Sequence, residues 1–294
     1  MPARDESHNG VWSWLRGLLP ARLRRAVVPV VRLSGAIGAV TPLRPGLSLA
    51  GISKLLERAF STKNAKAVAL VINSPGGSPV QSRQIYSRIR QLAADKKLPV
   101  MVFVEDVAAS GGYMIACAGD EIFCDPSSIV GSIGVVGGTF GFQELIKKIG
   151  IERRLYTSGE LKATLDPFLP ENPKDVERLK AIQRDIHDTF IALVKNSRGA
   201  RLRGDDAYMF SGEYWAGDRA VSLGLVDAIG DLRSVVRARY GEKVEMPLIA
   251  PPTGLLSNLG GRKGGTGTLI GASGFADDII SAIETRALWA RYGL

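Results

Sequence analysis

Two unbroken apolar runs, Ala67–Ile72 and Pro99–Val104, constrain this chain more than any other feature. A strand with one wet face alternates in polarity. A run without polar interruption fits a strand buried on both faces, as in a parallel sheet covered by helices. Each run leads to a glycine turn, Asn73-Ser-Pro-Gly-Gly77 and Ala108-Ala-Ser-Gly-Gly112. After the first turn, Val80, Ile85, Ile89 and Leu92 predict a helix over about 80–94, and Ser110 opens the helix after the second. A valine-rich run over Val27–Leu33 and a helix-spaced stretch over Leu49–Ser61 come before them. Strand, turn and helix repeated with short connections predict an α/β architecture with largely parallel strands. Ligands in such sheets bind at the carboxyl ends of strands, where both glycine turns fall.

The remaining organisation is simpler. Phe140–Ile149 and Asp175–Asn196 read as helices, the second with apolar residues at Val176, Leu179, Ile182, Ile186, Phe190 and Leu193. His187 sits next to Ile186 on this helix and reads as a packed or surface histidine. Residues 1–25 form a basic amphipathic appendage, in which Trp12 and Trp14 precede Arg22, Arg24 and Arg25. That pattern suits a helix lying on a membrane surface through residues 11–25, and equally one docking on the protein's own core. Residues 26–240 make the main domain. From 241 the sequence thins into a Pro/Gly-rich linker, followed by an amphipathic helix over about 275–289. We find no internal repeat.

At 294 residues, 45% hydrophobic and 23% charged, the chain has ample core for a soluble domain. Its net charge of +9 gathers in no dense block, so a solvated face is the default reading and no nucleic-acid partner is expected. Cys117 and Cys124 lie in apolar surroundings and read as buried free thiols. No His or Cys cluster has metal-ligand spacing, so no metal or other cofactor is expected. No run of about 20 apolar residues suggests a membrane span, and the N-terminus lacks a signal-peptide pattern. The expected location is therefore cytoplasmic or peripheral to a membrane.

Four features carry chemistry. In Asn73-Ser74-Pro75-Gly76-Gly77, the glycines let a backbone N–H reach a substrate carbonyl; most such turns are only turns. Ser110, set between alanines and glycines, lets a substrate approach its hydroxyl, and Gly111 offers a second N–H. Taken alone, a serine there better suits a helix N-cap, a very common role. Gly131-Ser132-Ile-Gly134 is either a packing turn or the carrier of a hydroxyl, Ser132, that orients a buried base. Lys162, in Ser158-Gly-Glu-Leu-Lys-Ala163, is a surface lysine unless desolvation lowers its pKa from about 10.4 toward about 7–8, where lysine acts as a general base. A serine nucleophile usually takes histidine as its base. His8 and His187 are the only histidines, and neither is well placed.

Together these motifs resemble the protease IV, or signal peptide peptidase A, family of serine peptidases. The resemblance covers about residues 26–240. It runs through 73–77, 108–113, 131–135, Lys162 with Asp166-Pro-Phe168, Ala216-Gly-Asp-Arg-Ala220, Gly224-Leu-Val-Asp227 and Gly230. It implies a Clp-protease/crotonase-like α/β fold and a Ser–Lys dyad. In that dyad Ser110 attacks a peptide carbonyl, Lys162 serves as base and Ser132 bonds the lysine amine. Gly77 and Gly111 would form the oxyanion hole, with Gly76 as a substitute for Gly77. Short-form members assemble into homo-oligomeric rings, in which the serine and lysine can come from adjacent subunits. The family degrades signal peptides and other membrane-proximal peptides or proteins without metal or ATP. Many members carry an N-terminal membrane anchor where this chain has only its basic, Trp-containing segment. Long-form members duplicate the domain, whereas this chain has one copy. A crotonase-type acyl-CoA enzyme would share the fold but leave Ser110 and Lys162 unexplained. A non-catalytic membrane-surface scaffold would use Trp12, Trp14 and the arginines.

Overall fold

A computed structural model describes residues 25–38, 46–159, 161–250 and 286–293 of the chain. Segment 1–24 and most of the expected C-terminal helix lie outside the described residues. The elements begin with β1 (Val30–Ser34), α1 (Leu49–Phe60), β2 (Val68–Ser74), α2 (Pro79–Lys96), β3 (Val100–Ala109) and α3 (Gly111–Ala116). Next come β4 (Glu121–Cys124), β5 (Ile129–Gly131), α4 (Gln143–Lys148), α5 (Pro173–Arg198) and α6 (Asp206–Met209). The series closes with β6 (Tyr214–Ala216), α7 (Gly217–Ser222), β7 (Ala228–Ile229) and α8 (Leu232–Tyr240).

The apolar runs become the two central strands. The sheet has the order β1-β2-β3-β4-β7 with parallel pairing throughout. β3 is longer than its apolar run, because it acquires a second partner beyond β4. Met101–Val104 pair with β4, and Val107–Ala109 pair with β5, also in parallel. β6 adds to β5 as the one antiparallel strand among the described residues. The architecture is thus the expected α/β fold with a largely parallel sheet. Residues 244–249, inside the expected linker, instead run beside β1. Val28 N–H donates to Glu245 O at 2.8 Å and Val30 N–H to Pro247 O at 2.9 Å.

Both faces of the sheet are covered, as the uninterrupted runs require. On one face Leu70, Ile72, Val102 and Val104 pack with Leu56 of α1, Ile85 and Ile89 of α2, Ile115 of α3 and Phe190 of α5. On the other, Ala69, Val71, Met101 and Phe103 pack with Val236 of α8. Farther along that face, Tyr292 and Trp289 cover Val107, Ala109 and Ile129, behind the end of β3. Burying each large aliphatic side chain stabilises the fold by roughly 1.5–3 kcal/mol, so this two-sided core fixes the sheet that holds the site.

α3 is held from its far end by a polar network. All six of its residues are buried, and the Tyr113 hydroxyl donates to Leu225 O at 2.8 Å. Nearby, the fully buried Arg198 makes a bidentate pair with Asp227, both contacts at 2.9 Å, and donates through Nε to Gly224 O. Asp227 also accepts from Ile122 N–H at 2.7 Å. Burial opposes the Asp227 charge, but the Arg198 and backbone hydrogen bonds outweigh it and hold the carboxyl below its ordinary range. The Gly224–Asp227 motif is therefore a structural clasp that anchors α7 and α5 to β4.

Asp227→Asn leaves the Arg198 charge buried without its anion and is expected to cost about 3–5 kcal/mol at neutral pH. Because the folded-state pKa is depressed, the contribution of Asp227 is present above about pH 4 and lost as pH falls through the folded value. Urea unfolding between pH 5 and 3 should show a steeper loss of stability in the wild type than in Asp227→Asn. Parallel slopes would exclude this linkage.

Candidate active site

The first wall of the site is the turn after β2. Ile37 N–H donates to Gly76 O at 2.8 Å, and Ser78 N–H donates to Ile37 O at 2.8 Å, so the turn is pinned as a short extended segment. Ser78 then caps α2, with its hydroxyl accepting from Gln81 N–H and Pro79 at the first helical turn. Gly76 has φ +102°, and a Cβ there would lie 2.8 Å from Ser110 Cβ. Only glycine lets this turn approach the serine so closely. Gly76 N–H donates to Ser74 Oγ at 3.3 Å, whereas Gly77 N–H has no hydrogen bond among the described residues. Of the two glycines, Gly77 has the free donor.

Ser110 sits where β3 leaves the sheet. Its N–H donates to Gly131 O at 2.8 Å, and its carbonyl accepts from Met114 N–H at 3.0 Å to start α3. Its φ of 51° and ψ of −122° lie in the mirror-β region that normally belongs to glycine. A strained strand-to-helix corner of this kind lifts a side chain out of the sheet end, as in nucleophile elbows. Ser110 occupies the N-cap position but its side chain makes no capping bond, so that reading does not account for the serine. The residue is half-buried, and Gly111 N–H beside it has no partner among the described residues.

β5 brings the second serine alongside. Ala109 lies opposite Gly131 in the parallel register, so Ser110 and Ser132 are the next residues on adjacent strands. Ser132 is buried, has φ +52°, and its hydroxyl makes no hydrogen bond among the described residues. Its backbone is tied down: Ser132 N–H donates to Glu213 O at 2.6 Å and Gly134 N–H returns to Ser132 O at 3.0 Å. A Cβ on Gly131 would meet the Trp215 ring at 2.8 Å, so glycine is needed where the indole packs on β5. From α5, His187 Nε2 lies 3.0 Å from Ile133 O. The sequence reading treated His187 as a packed or surface side chain and missed this contact. A polar residue one helical turn before buried Phe190 was the available signal.

Lys162 is not gathered into this cluster. It lies on an exposed turn, and no hydrogen bond or ion pair joins its amine to Ser110, Ser132 or any other described residue. It belongs to a segment, 136–169, that carries much of the exposed apolar surface. Val136, Phe140, Leu145, Ile149, Ile151, Tyr156 and Leu161 are all more than half exposed. α4 spans only six residues and buries none of them, where the sequence predicts a helix over Phe140–Ile149. Arg153 closes the segment on itself by pairing with Asp166 and stacking over Phe168.

Cys117 and Cys124 are buried and unpaired with each other. Burial pushes each thiol up to about 12, so neither is a nucleophile at neutral pH. Among the described residues no cluster of His, Cys, Asp or Glu is arranged to hold a metal ion. No described helix is long and apolar enough to cross a membrane.

Comparison with known proteins places these features in context. The model of peptidase family S49 matches residues 92–244, and that of Clp protease matches residues 48–130. A Brucella abortus protein named Na(+)/H(+) antiporter NhaA is 56% identical over 287 residues, covering 95% of this chain and 39% of that protein. The chloroplastic serine protease SPPA of Arabidopsis thaliana is 31% identical over 84% of this chain and 36% of its own length. The putative protease slr0021 of Synechocystis is 30% identical over 74% of this chain and 80% of its own length. The chain thus spans under two fifths of the Brucella and Arabidopsis relatives.

The strain at Ser110 is separable from its chemistry. Ser110→Ala keeps a Cβ in the mirror-β region, whereas Ser110→Gly removes it. Strain of this kind costs about 1–3 kcal/mol, partly offset by the extra freedom of glycine in the unfolded chain. Ser110→Gly is expected to exceed Ser110→Ala in unfolding free energy by about 1 kcal/mol in parallel urea titrations. An alanine variant as stable as the glycine variant would show that the corner is unstrained.

Proposed function

Because the chain belongs to peptidase family S49, we propose that it hydrolyses peptide bonds through Ser110 as nucleophile and Lys162 as general base. The observation that carries this reading is the corner at Ser110. A hydroxyl with no structural bond stands at the sheet end, beside Gly111 and against the Gly76–Gly77 turn, and the Gly77 and Gly111 N–H groups have no partner among the described residues. Ser110 Oγ attacks the carbonyl carbon as its proton passes to the Lys162 amine. The carbonyl oxygen becomes an oxyanion that the two N–H groups stabilise, each donor contributing about 2.7–4 kcal/mol. Collapse breaks the C–N bond, the lysine returns its proton to the leaving amine, and water then releases the acyl group by the reverse sequence. Ser132, next in register and with an uncommitted hydroxyl, orients the amine.

A general-base lysine must be held out of water. In the isolated chain Lys162 is exposed on a segment rich in uncovered apolar side chains. Both observations support a site completed between copies of the chain, in which the 136–169 segment of one copy delivers Lys162 toward the Ser110 of its neighbour. Removing apolar surface from water gives such an assembly its driving force. Substrates in this reading are signal peptides or other peptides close to a membrane. The Brucella relatives carry an antiporter's name and extend far beyond the matched region, which supports a membrane-proximal setting.

Ser110→Ala and Lys162→Ala are each expected to lower peptide hydrolysis by at least a thousandfold while preserving the circular-dichroism spectrum. Labelling by a serine-directed phosphonate probe should disappear in Ser110→Ala. If the site is shared, mixing the two inactive variants restores part of the activity. Full activity in folded Lys162→Ala would remove lysine as the base. No recovery despite verified subunit exchange would place both groups in one chain.

A further inference from the structure

We propose that His187 is a positioning residue for the peptidase reaction, acting through the turn that carries Ser132. This rests on the reading of Ser132 given above, but the observations behind it are separate. The parallel ladder between β3 and β5 ends at Ala109 and Gly131. Ser132 then turns away at φ +52°, so the next carbonyl, that of fully buried Ile133, has left the sheet and its ladder partners. A buried carbonyl without a donor is costly, and the donor here is His187 Nε2 at 3.0 Å. The carbonyl can only accept, so the contact assigns the ring proton to Nε2.

The position of His187 on α5 gives the contact its leverage. His187, Phe190 and Val194 follow one another at three- and four-residue spacing, and the latter two are buried in the main core. The helix is therefore a fixed rail, 26 residues long, and His187 is the polar side chain it directs at the Ser132 turn. Gln183, one turn earlier, lies along the same loop, with its amide nitrogen 3.0 Å from where a Cβ on Gly137 would stand. From the residue before β6, Glu213 O accepts the Ser132 N–H and holds the turn a second time. With both contacts in place, the backbone that carries the Ser132 hydroxyl is held, while the hydroxyl itself makes no bond among the described residues. Releasing the α5 side lets the turn relax from its positive φ and carries the hydroxyl away from the lysine amine. Misplacement of a catalytic group by about 1 Å costs on the order of a hundredfold in rate, so an indirect effect of tenfold or more is reasonable.

Three variants test this in the full chain. Glutamine can present its Nε2 amide near the site of the imidazole Nε2–H, whereas leucine fills the space without a donor. His187→Leu is expected to lower kcat at least tenfold with KM changed less than twofold and an unaltered circular-dichroism spectrum. His187→Gln should recover most of that loss. In a Ser132→Ala background His187→Leu should have no further effect, because a residue acting through Ser132 has nothing left to position. Wild-type kcat in His187→Leu, failure of glutamine to rescue, or a loss additive with Ser132→Ala would each overturn the role of His187. Wild-type kcat in Ser132→Ala would instead remove Ser132 from the mechanism, and His187 with it. Retained activity in Ser110→Ala would remove the peptidase reading as a whole, so the failures can be told apart. Unfolding of His187→Leu while His187→Gln remains folded and fully active would assign the contact to stability and also overturn the proposal.

Discussion

The parallel pairing of β3 with β5 is the constraint on which the rest of the site depends. β4 pairs with the first half of β3 and stops, and β5 takes up the second half three residues before the chain turns. That exchange of partners lets β3 extend to Ala109 and puts Gly131 opposite it. Ser110 and Ser132 then leave adjacent strands at the same level, both with positive φ. A one-residue slip would turn one hydroxyl into the core, because side chains alternate between faces along a strand. The covering of Val107, Ala109 and Ile129 by Trp289 and Tyr292 resists such a slip from behind. The Gly76 turn closes the front, where only the absence of a side chain leaves room for Ser110 Cβ.

The central sheet was legible because its signal is local. Uninterrupted apolar runs at 67–72 and 99–104 have few solutions other than parallel strands covered on both faces, and the glycine turns mark their ends. β5, β6 and β7 were not legible, since strands of two or three residues carry no periodicity of their own. They exist through long-range pairing with β3, β4 and each other. The Arg198–Asp227 clasp was unreadable for a similar reason. Its partners are far apart in sequence, and each alone has the composition of a surface charge. Ser110 itself was readable as an unusual serine between small residues, but its mirror-β conformation depends on what the strand must do next, which only the assembled sheet dictates.

The 136–169 segment marks a different limit. The sequence predicts a helix over Phe140–Ile149, and Phe140, Leu145 and Ile149 give it an apolar side. No surface of the described chain covers that face, and α4 shrinks to six residues with none buried. Periodicity reports that a side is apolar without reporting which molecule buries it. The same segment carries Lys162, whose proposed role as a base depends on water being excluded around it. Burial of the apolar face and desolvation of the lysine thus place the same demand on whatever covers the segment.

This coupling distinguishes the two halves of the proposed site physically. The serine half is pre-organised within one chain. Backbone hydrogen bonds, the packed faces of the sheet and α5 fix Ser110, Ser132, Gly77 and Gly111 before any partner or substrate arrives. Such groups contribute most when they need not reorganise during the reaction. The lysine half is held by a segment that tethers mainly to itself, through Arg153, Asp166 and Phe168. On the proposed mechanism, Lys162 acts as a base only where assembly removes water from its amine. On that mechanism, separating a rigid nucleophile from a conditionally buried base would keep an unassembled chain from cleaving peptides. The cost of desolvating a lone ammonium would supply that silence.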